Sequence, residues 1–185
     1  MKYFLVENET AYDGTQLCSL WAYRNFGLQG DSITAFIGPC KVTLEKMVDM
    51  ADVLAGDYIF SEKMLHFIVE HFEMDLEKTI TRQRLLMALI GESITIETGT
   101  SVERKGDDLF LADRKLSVSI ATLSPVSTLI HTGLNLSSIN TPVPTVSLPE
   151  LGIDNISEFA AGILKNYVAE INGIKMARCK VRGVD

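Results

Sequence analysis

Residues 104–136 read RKGDDLFLADRKLSVSIATLSPVSTLIHTGLNL. Asp107 and Asp108 open a strand, a short turn reverses it, and Arg114-Lys115 open the next strand, so acid and base meet at one end of a hairpin. Side chains alternate across a strand. In residues 114–123 this predicts Leu116, Val118 and Ile120 on one face, with Lys115, Ser117, Ser119 and Ala121 on the other. Small side chains beside a lysine leave volume above the sheet with an ammonium at its edge, which suits a small anionic ligand. In residues 126–136 the same rule sets Ile130, Thr132, Leu134 and Leu136 against Leu129, His131, Gly133 and Asn135. Where the two polar faces coincide, Lys115, His131 and Asn135 converge, and Gly133 admits a ligand or a neighbouring backbone. A solvated hairpin with charges at its turn has the same pattern. The stretch alone therefore does not separate a site from a surface.

Outward from the hairpin, residues 2–6 read as a strand and 13–26 as a helix with Leu17, Leu20 and Trp21 on one face, ended by Gly27. Residues 32–38 alternate as a strand stopped by Gly38-Pro39. Thr43 is placed to cap a helix carrying Leu44, Met47, Val48, Ala51 and Leu54, closed by Gly56. Ser61 is placed to cap another, lined by Met64, Leu65, Ile68 and Phe72, and a further amphipathic segment, 76–90, meets Gly91. From Ser93 the period shortens from 3.6 to 2, and 93–98, 108–112, 114–123 and 126–136 read as strands. Pro142, Pro144 and Pro149 make 140–149 an extended surface connection; 156–171 reads as a helix and 174–181 as a last strand. The pattern shows no linker and no repeat. The expected architecture is one α+β domain over residues 1–185, with helices packed on a mixed or antiparallel sheet.

Composition narrows the function classes. With 185 residues, 46% apolar and 22% charged, the chain suits one hydrophobic core without metal or disulfide. Cys18, Cys40 and Cys179 are odd in number and without CxxC spacing, which points to a reducing compartment, the cytoplasm by default. No apolar stretch approaches the ~20 residues that span a bilayer. A net charge of -7 weighs against nucleic acid as a partner.

The run Asp108-Leu109-Phe110-Leu111-Ala112-Asp113-Arg114-Lys115-Leu116 resembles the strand-turn-strand of biotin protein ligases, where an Asn-Asp pair opens the first strand and an Arg-Lys pair the second. Ile130-His131-Thr132-Gly133-Leu134-Asn135-Leu136 is similar to that family's following strand, which ends in Gly-x-Asn, and to the His-Gly strand of lipoate ligases and octanoyl transferases. The resemblance covers about thirty residues of 185. It implies the biotin and lipoate ligase fold, related to class II aminoacyl-tRNA synthetases, with a mixed sheet backed by helices. It also implies ATP with Mg²⁺ as cofactors, Lys115 on the carboxylate and phosphoryl groups of an acyl-adenylate, and Asp108 at the acceptor and metal side. A lysine can stabilise charge developing on a carboxylate or phosphate. The catalytic set expected on this basis is Lys115, Asp108 and His131. Ser117, Ser119, Gly133, Asn135 and Arg114 are expected at the ligand, and Asp107 with Asp108 at a metal.

The departures from that family are as informative. Its Gly- and Arg-rich loop has no counterpart in residues 27–62, Asp107 stands where the family has Asn, and Leu116-Ser117-Val118 stands where a glycine is usual. Pro149 is followed by Glu150 rather than by the nucleophilic cysteine of octanoyl transferases, leaving Cys40, beside Gly38-Pro39, as the substitute thiol to consider. His66, Glu70 and His71 have a helical spacing that can hold a metal, and of Arg82 and Arg84 one could reach a phosphate. The expected function is binding of a small carboxylic acid or acyl-adenylate with ligase or acyl-transfer chemistry at Lys115. The rival is a non-catalytic ligand-binding or interaction domain that has lost the nucleotide loop. A homodimer is left open.

Overall fold

Capping chemistry starts the two long helices, which pack on one face of a five-stranded sheet. The computed structural model describes residues 1–184. In chain order the elements are β1 (Lys2–Leu5), α1 (Trp21–Phe26), β2 (Ser32–Val42), a 3-10 turn (Leu44–Lys46), α2 (Met50–Ala55), β3 (Ile59–His71) and α3 (Leu76–Thr98). They continue with β4 (Glu103–Lys105), β5 (Asp108–Leu111), β6 (Arg114–Lys115), β7 (Ser117–Leu123), β8 (Thr128–Asn135), a second 3-10 turn (Pro149–Leu151) and α4 (Ile156–Ala177). Asp75 caps α3 by accepting from the Lys78 N–H, and Asn155 caps α4 by accepting from the Glu158 N–H. The main sheet runs β1-β2-β3-β8-β7, parallel between β1 and β2 and antiparallel elsewhere, and β4-β5-β6 form a small second sheet.

Alternation along β2, β3 and β8 divides the interior into two layers. Ile33 and Ala35, Leu65, Phe67 and Val69, and Ile130 and Leu134 form one core with Leu86, Met87, Ile90 and Ile94 of α3 and Phe159, Ile163 and Tyr167 of α4. Each such aliphatic or aromatic side chain removed from water contributes roughly 1.5–3 kcal/mol. Tyr12, Phe36, Cys40, Val42, Met64 and Ile68 make the second core on the opposite face. Leu17 and Trp21 from the chain before β2, and Met47 from the segment between β2 and β3, pack over it. That second face carries the candidate site.

Several elements differ from what periodicity suggests. Residues 61–71 lie in strand β3 rather than a helix, and Phe72 follows its end, because β3 is the central strand and is buried on both faces from Met64 to His71. A doubly buried strand reads as a continuous apolar run, and its i and i+4 positions imitate a helical stripe. Residues 93–98 continue α3 instead of forming a strand, since Ile94 extends the buried stripe of Leu86, Met87 and Ile90; the helix ends at Gly99, in the left-handed region at φ 71°. Residues 174–177 likewise belong to α4, not to a last strand. The expected helix over 13–26 shrinks to Trp21–Phe26, and the one from Thr43 breaks into the 3-10 turn and α2, with Asp49 capping α2. The expected strand over 114–123 is split at Leu116 between β6 and β7. No helix of the described residues is long and apolar enough to cross a membrane.

All three histidines are buried: His66 and His71 on β3, and His131 on β8. Burial pushes His66 down to about 3, holds His131 well below its ordinary value with His66 adding to the effect, and lowers His71. An imidazole depressed in the folded state leaves the unfolded chain binding more protons below about 6.5. Its stabilisation is therefore complete above that pH and is lost as pH falls toward the folded value. Urea unfolding between pH 7.5 and 4.5 is expected to show stability declining below about 6.5, and His66→Phe is expected to make the decline shallower by up to about 1.4 kcal/mol per pH unit. A flat profile contradicts neutral buried imidazoles.

Gly38 supplies a second test. A Cβ there would stand 2.0 Å from Thr10 O and 2.6 Å from Thr10 C, because the chain at Thr10 to Tyr12 runs against the irregular stretch of β2 between Gly38 and Cys40. Gly38→Ala is expected to cost about 1–3 kcal/mol or more in denaturant unfolding. Gly173→Ala, in α4 with nothing within 4 Å, is expected to stabilise by about 0.5–1 kcal/mol.

Candidate functional site

Leu116 is the residue at which the chain passes from the small sheet to the main one. It is fully buried in the helix-side core, its N–H donates to Leu109 O at 2.8 Å, and its carbonyl accepts from the Asn135 N–H at 2.9 Å. Lys115 is held just before it. Its N–H donates to Pro144 O at 2.9 Å, and its carbonyl accepts from the Val146 N–H at 3.1 Å and from Asn135 Nδ2 at 3.1 Å. With the backbone held on three sides, the side chain reaches Asp108, Nζ to Oδ2 at 2.7 Å. Burial raises the Asp108 carboxyl above the usual carboxylate range, opposed by the Lys115 charge and by its hydrogen bond. The second oxygen, Oδ1, accepts from the Ser117 hydroxyl at 3.2 Å.

Lys115 lines two neighbouring cavities, the two lobes of the candidate site. The larger, about 220 Å³, is lined by Tyr58, Ile59, Phe60 and Met64, by Asn135, and by Thr141, Pro142, Val143 and Thr145. The smaller, about 160 Å³, is lined by Tyr12, Leu17, Val42, Met47, Val48, Ile120 and His131, with Lys46, Asp49, Asp107 and Asp108 among its charged lining. Asp52, Ile59, Lys115 and Val118 border both. Together the lobes reach the range of about 300–1,000 Å³ in which small-molecule sites fall. Their charge is unbalanced, with Asp49, Asp52, Asp57, Asp107 and Asp108 against Lys46 and Lys115. Burial, then Asp49, raises the Asp52 carboxyl, and Lys115 opposes the rise.

The floor of the smaller lobe is a stack of rings. Tyr12 lies on His131 with centroids 3.7 Å apart and planes 11° from parallel, and Phe36 stacks on His66 at 4.9 Å. His66 Nδ1 meets His131 Nε2 at 3.1 Å, and His66 Nε2 meets Gly38 O at 3.2 Å. Gly133 makes room for Met64 and Val118 beside the stack, since a Cβ there would stand 2.9 Å from Met64 Cε and 3.3 Å from Val118 Cγ2.

The residues expected at a site from the sequence are distributed unevenly. Lys115, Asp108, His131 and Asn135 all border the cavity. Ser117 and Ser119 border it too, but their hydroxyls turn to the helix face: Ser117 Oγ accepts from the Leu109 N–H at 2.9 Å, and Ser119 Oγ accepts from Gln83 Nε2 of α3 at 2.9 Å. Register explains this. Ser117 and Ser119 pair with Leu134 and Thr132, whereas Val118 and Ile120 pair with Gly133 and His131. The row of small side chains makes room for α3, and the crossing at Leu116 is what returns Lys115 to the side of Val118. Arg114 pairs with Glu150 at 3.0 Å. Asp107 and Asp108 have different partners, Gln83 Nε2 at 3.2 Å for the first and Lys115 for the second.

Among the described residues no group of three or more His, Cys, Asp or Glu side chains could hold a metal ion. His66, Glu70 and His71 lie on a strand, not a helix, so their spacing spreads them apart. Glu70 accepts from the Leu20 N–H and the Ser127 hydroxyl. Cys40 is fully buried and its thiol is pushed up to about 12 by burial, which leaves it no thiolate to act as a nucleophile. Arg82 pairs with Glu73, and Arg84 lies 3.8 Å from Asp107. Cavity residues that sequence reasoning missed include Tyr12, Lys46, Asp49, Asp52, Asp57 and Tyr58, together with Thr141, Pro142, Val143 and Thr145. Local patterning does not say which sheet face these covering segments meet; residues 140–149 are tied to the site by the bridge of Thr145 to Lys115 and by the bond from Leu148 N–H to Asn135 O at 2.9 Å.

The comparisons with known proteins bear on the family and the fold. The family model described as Domain of unknown function (DUF366) matches residues 1–182. A protein of Methanocaldococcus jannaschii, MJ0805, is 37% identical over 181 residues, covering 95% of this chain and 81% of its own length. A solved protein of unknown function from Pyrococcus horikoshi is 39% identical, with a TM-score of 0.91 over 100% of this chain and 99% of that one. The biotin protein ligase from Aquifex aeolicus, in complex with biotin and ATP, aligns with a TM-score of 0.67 at 15% identity over 93% of this chain and 72% of that one. At that identity the likeness is one of fold, the biotin and lipoate protein ligase fold. The chain belongs to the DUF366 family.

Proposed function

We propose that the two-lobed cavity binds a small carboxylic acid, or its acyl-adenylate, with the carboxylate or phosphoryl oxygen on Lys115, and that ligase or acyl-transfer chemistry takes place there. The observation that carries this reading is the position of Lys115: partly buried, fixed through its backbone, matched to Asp108, and shared by both lobes. The acid carboxylate and its activating group would meet at the ammonium, which both lobes share. In adenylation the acid oxygen forms a bond to the α-phosphorus as the bond to pyrophosphate breaks, and Lys115 stabilises the charge that builds up on those oxygens. The ligase neighbour bound to biotin and ATP supports the class of ligand.

ATP with Mg²⁺ belongs to the same proposal under a constraint. Five carboxylates around two lysines repel an unescorted triphosphate. Mg²⁺ commonly uses one or two carboxylates together with substrate phosphates. Asp107 and Asp108 fit that role only when a phosphate completes the shell, because no larger set of protein ligands is present among the described residues. The same carboxylate excess, and the absence of a Gly- and Arg-rich run, favour a second reading in which the cavity binds an acid without turning over nucleotide. The three free cysteines suit the cytoplasm as the place where either occurs.

Thermal shift and calorimetry with a panel of small carboxylic acids, followed by ATP–pyrophosphate exchange with the acids that bind, test the proposal. Lys115→Ala is expected to weaken acid binding about 10- to 100-fold, the loss of one charge-assisted contact, and to abolish exchange without unfolding the protein. Stabilisation by an acid with no exchange selects the binding reading. Acid binding unchanged by Lys115→Ala removes Lys115 from the site.

A further inference from the structure

The paired histidines have their proton positions set by a peptide carbonyl. Gly38 O can only accept, so His66 Nε2, 3.2 Å away, carries the hydrogen. His66 is neutral in its buried position, which leaves its Nδ1 a bare acceptor. His131 Nε2, 3.1 Å from that nitrogen, must then be the donor. His131 is neutral as well, and its remaining nitrogen, Nδ1, is left with a lone pair. His131 is only 3% exposed, and the Tyr12 ring stacked on it holds its orientation. Among the described residues the polar side-chain atoms sealed without a partner are Thr34 Oγ1, His71 Nδ1 and Arg84 Nε. His131 Nδ1 is not one of them, although no donor among the described residues reaches it, so the atom is not fully sealed, and His131 is among the residues that line the smaller lobe.

We infer that His131 Nδ1 selects the ligand of the smaller lobe by accepting a hydrogen bond from it, so that the preferred acid carries an O–H or N–H donor on its body, as a hydroxy or amido acid does. The inference rests on the acid-binding reading above and narrows its substrate class. A plain hydrocarbon acid displaces water from Nδ1 and offers no donor in return. Sites built around a buried polar group discriminate strongly against such analogues. His131 acts here as an acceptor that positions and selects. Tyr12 and His66 fix the ring and its tautomer and need not touch the ligand.

Two measurements test this on the intact protein. Long-range ¹H–¹⁵N correlation spectra of histidine-labelled protein are expected to show His131 with a protonated Nε2 and a bare Nδ1. Calorimetry with hexanoate, its 3-, 4-, 5- and 6-hydroxy derivatives and 6-acetamidohexanoate is expected to find a donor-bearing acid that binds about tenfold tighter than hexanoate and moves the Nδ1 resonance. His131→Phe keeps the stacking on Tyr12 and is expected to abolish that preference. An Nδ1-protonated His131, equal affinities across the series, or a preference that persists in His131→Phe overturns the inference. If all the acids bind alike and still depend on Lys115, the acid reading stands and this inference alone fails. If none binds wild-type protein, both fall.

Discussion

The passage of the chain through Leu116 is the constraint on which the site depends. Leu116 is buried in the helix-side core while its neighbour Val118 belongs to the opposite core, so the strand cannot keep one alternation from Arg114 to Leu123. The break is held by backbone bonds to Leu109 and Asn135, and it leaves Lys115 with its own peptide groups tied to Pro144, Val146 and Asn135. A lysine side chain is flexible, but one whose backbone is held on three sides and whose ammonium rests on Asp108 has little freedom left to lose. Asn135 and residues 144–146 are thus part of the support of the site as well as of its wall.

The remainder of the cavity is built by segments that cover the second face of the sheet. The approach of Thr10 to β2 is open only because position 38 has no side chain, and that approach delivers Tyr12 to His131. The segment between β2 and β3 brings Lys46, but also Asp49, Asp52 and Asp57. The fold is shared with biotin and lipoate protein ligases, yet this acidic cover is opposite in sign to a phosphate cradle. A shared fold does not transfer an activity. The chemistry available to this chain follows from the charges it places around Lys115.

Part of the geometry of the candidate site was legible in the sequence because strand neighbours are encoded locally. The hairpin from Asp108 to Lys115 and the grouping of His131, Gly133 and Asn135 on one face both follow from a period of two within β5 to β8. Which way the neighbouring strand faces does not follow from that period. Ser117 and Ser119 looked like the floor of a pocket, and they lie instead beneath α3, bonded to Gln83, Leu109 and Asp108. Residues 61–71 carry the same lesson for the fold. A central strand with both faces buried loses the polar half of its alternation, and Met64, Leu65 and Ile68 then fit a helix as well as a strand.

Composition, turn chemistry and the Asp-hairpin-Lys run by themselves determined the α+β class, the ligase-like fold and the candidacy of Lys115, because each is written in residues close together in the chain. Tertiary structure alone decided the rest: the side of the sheet on which each strand presents its small residues, the covering of the cavity by Tyr12, Lys46 and residues 140–149, and the contact of His66 with His131. Those contacts join residues far apart in sequence. They are selected by the mutual burial of two layers on one sheet, which no local period encodes.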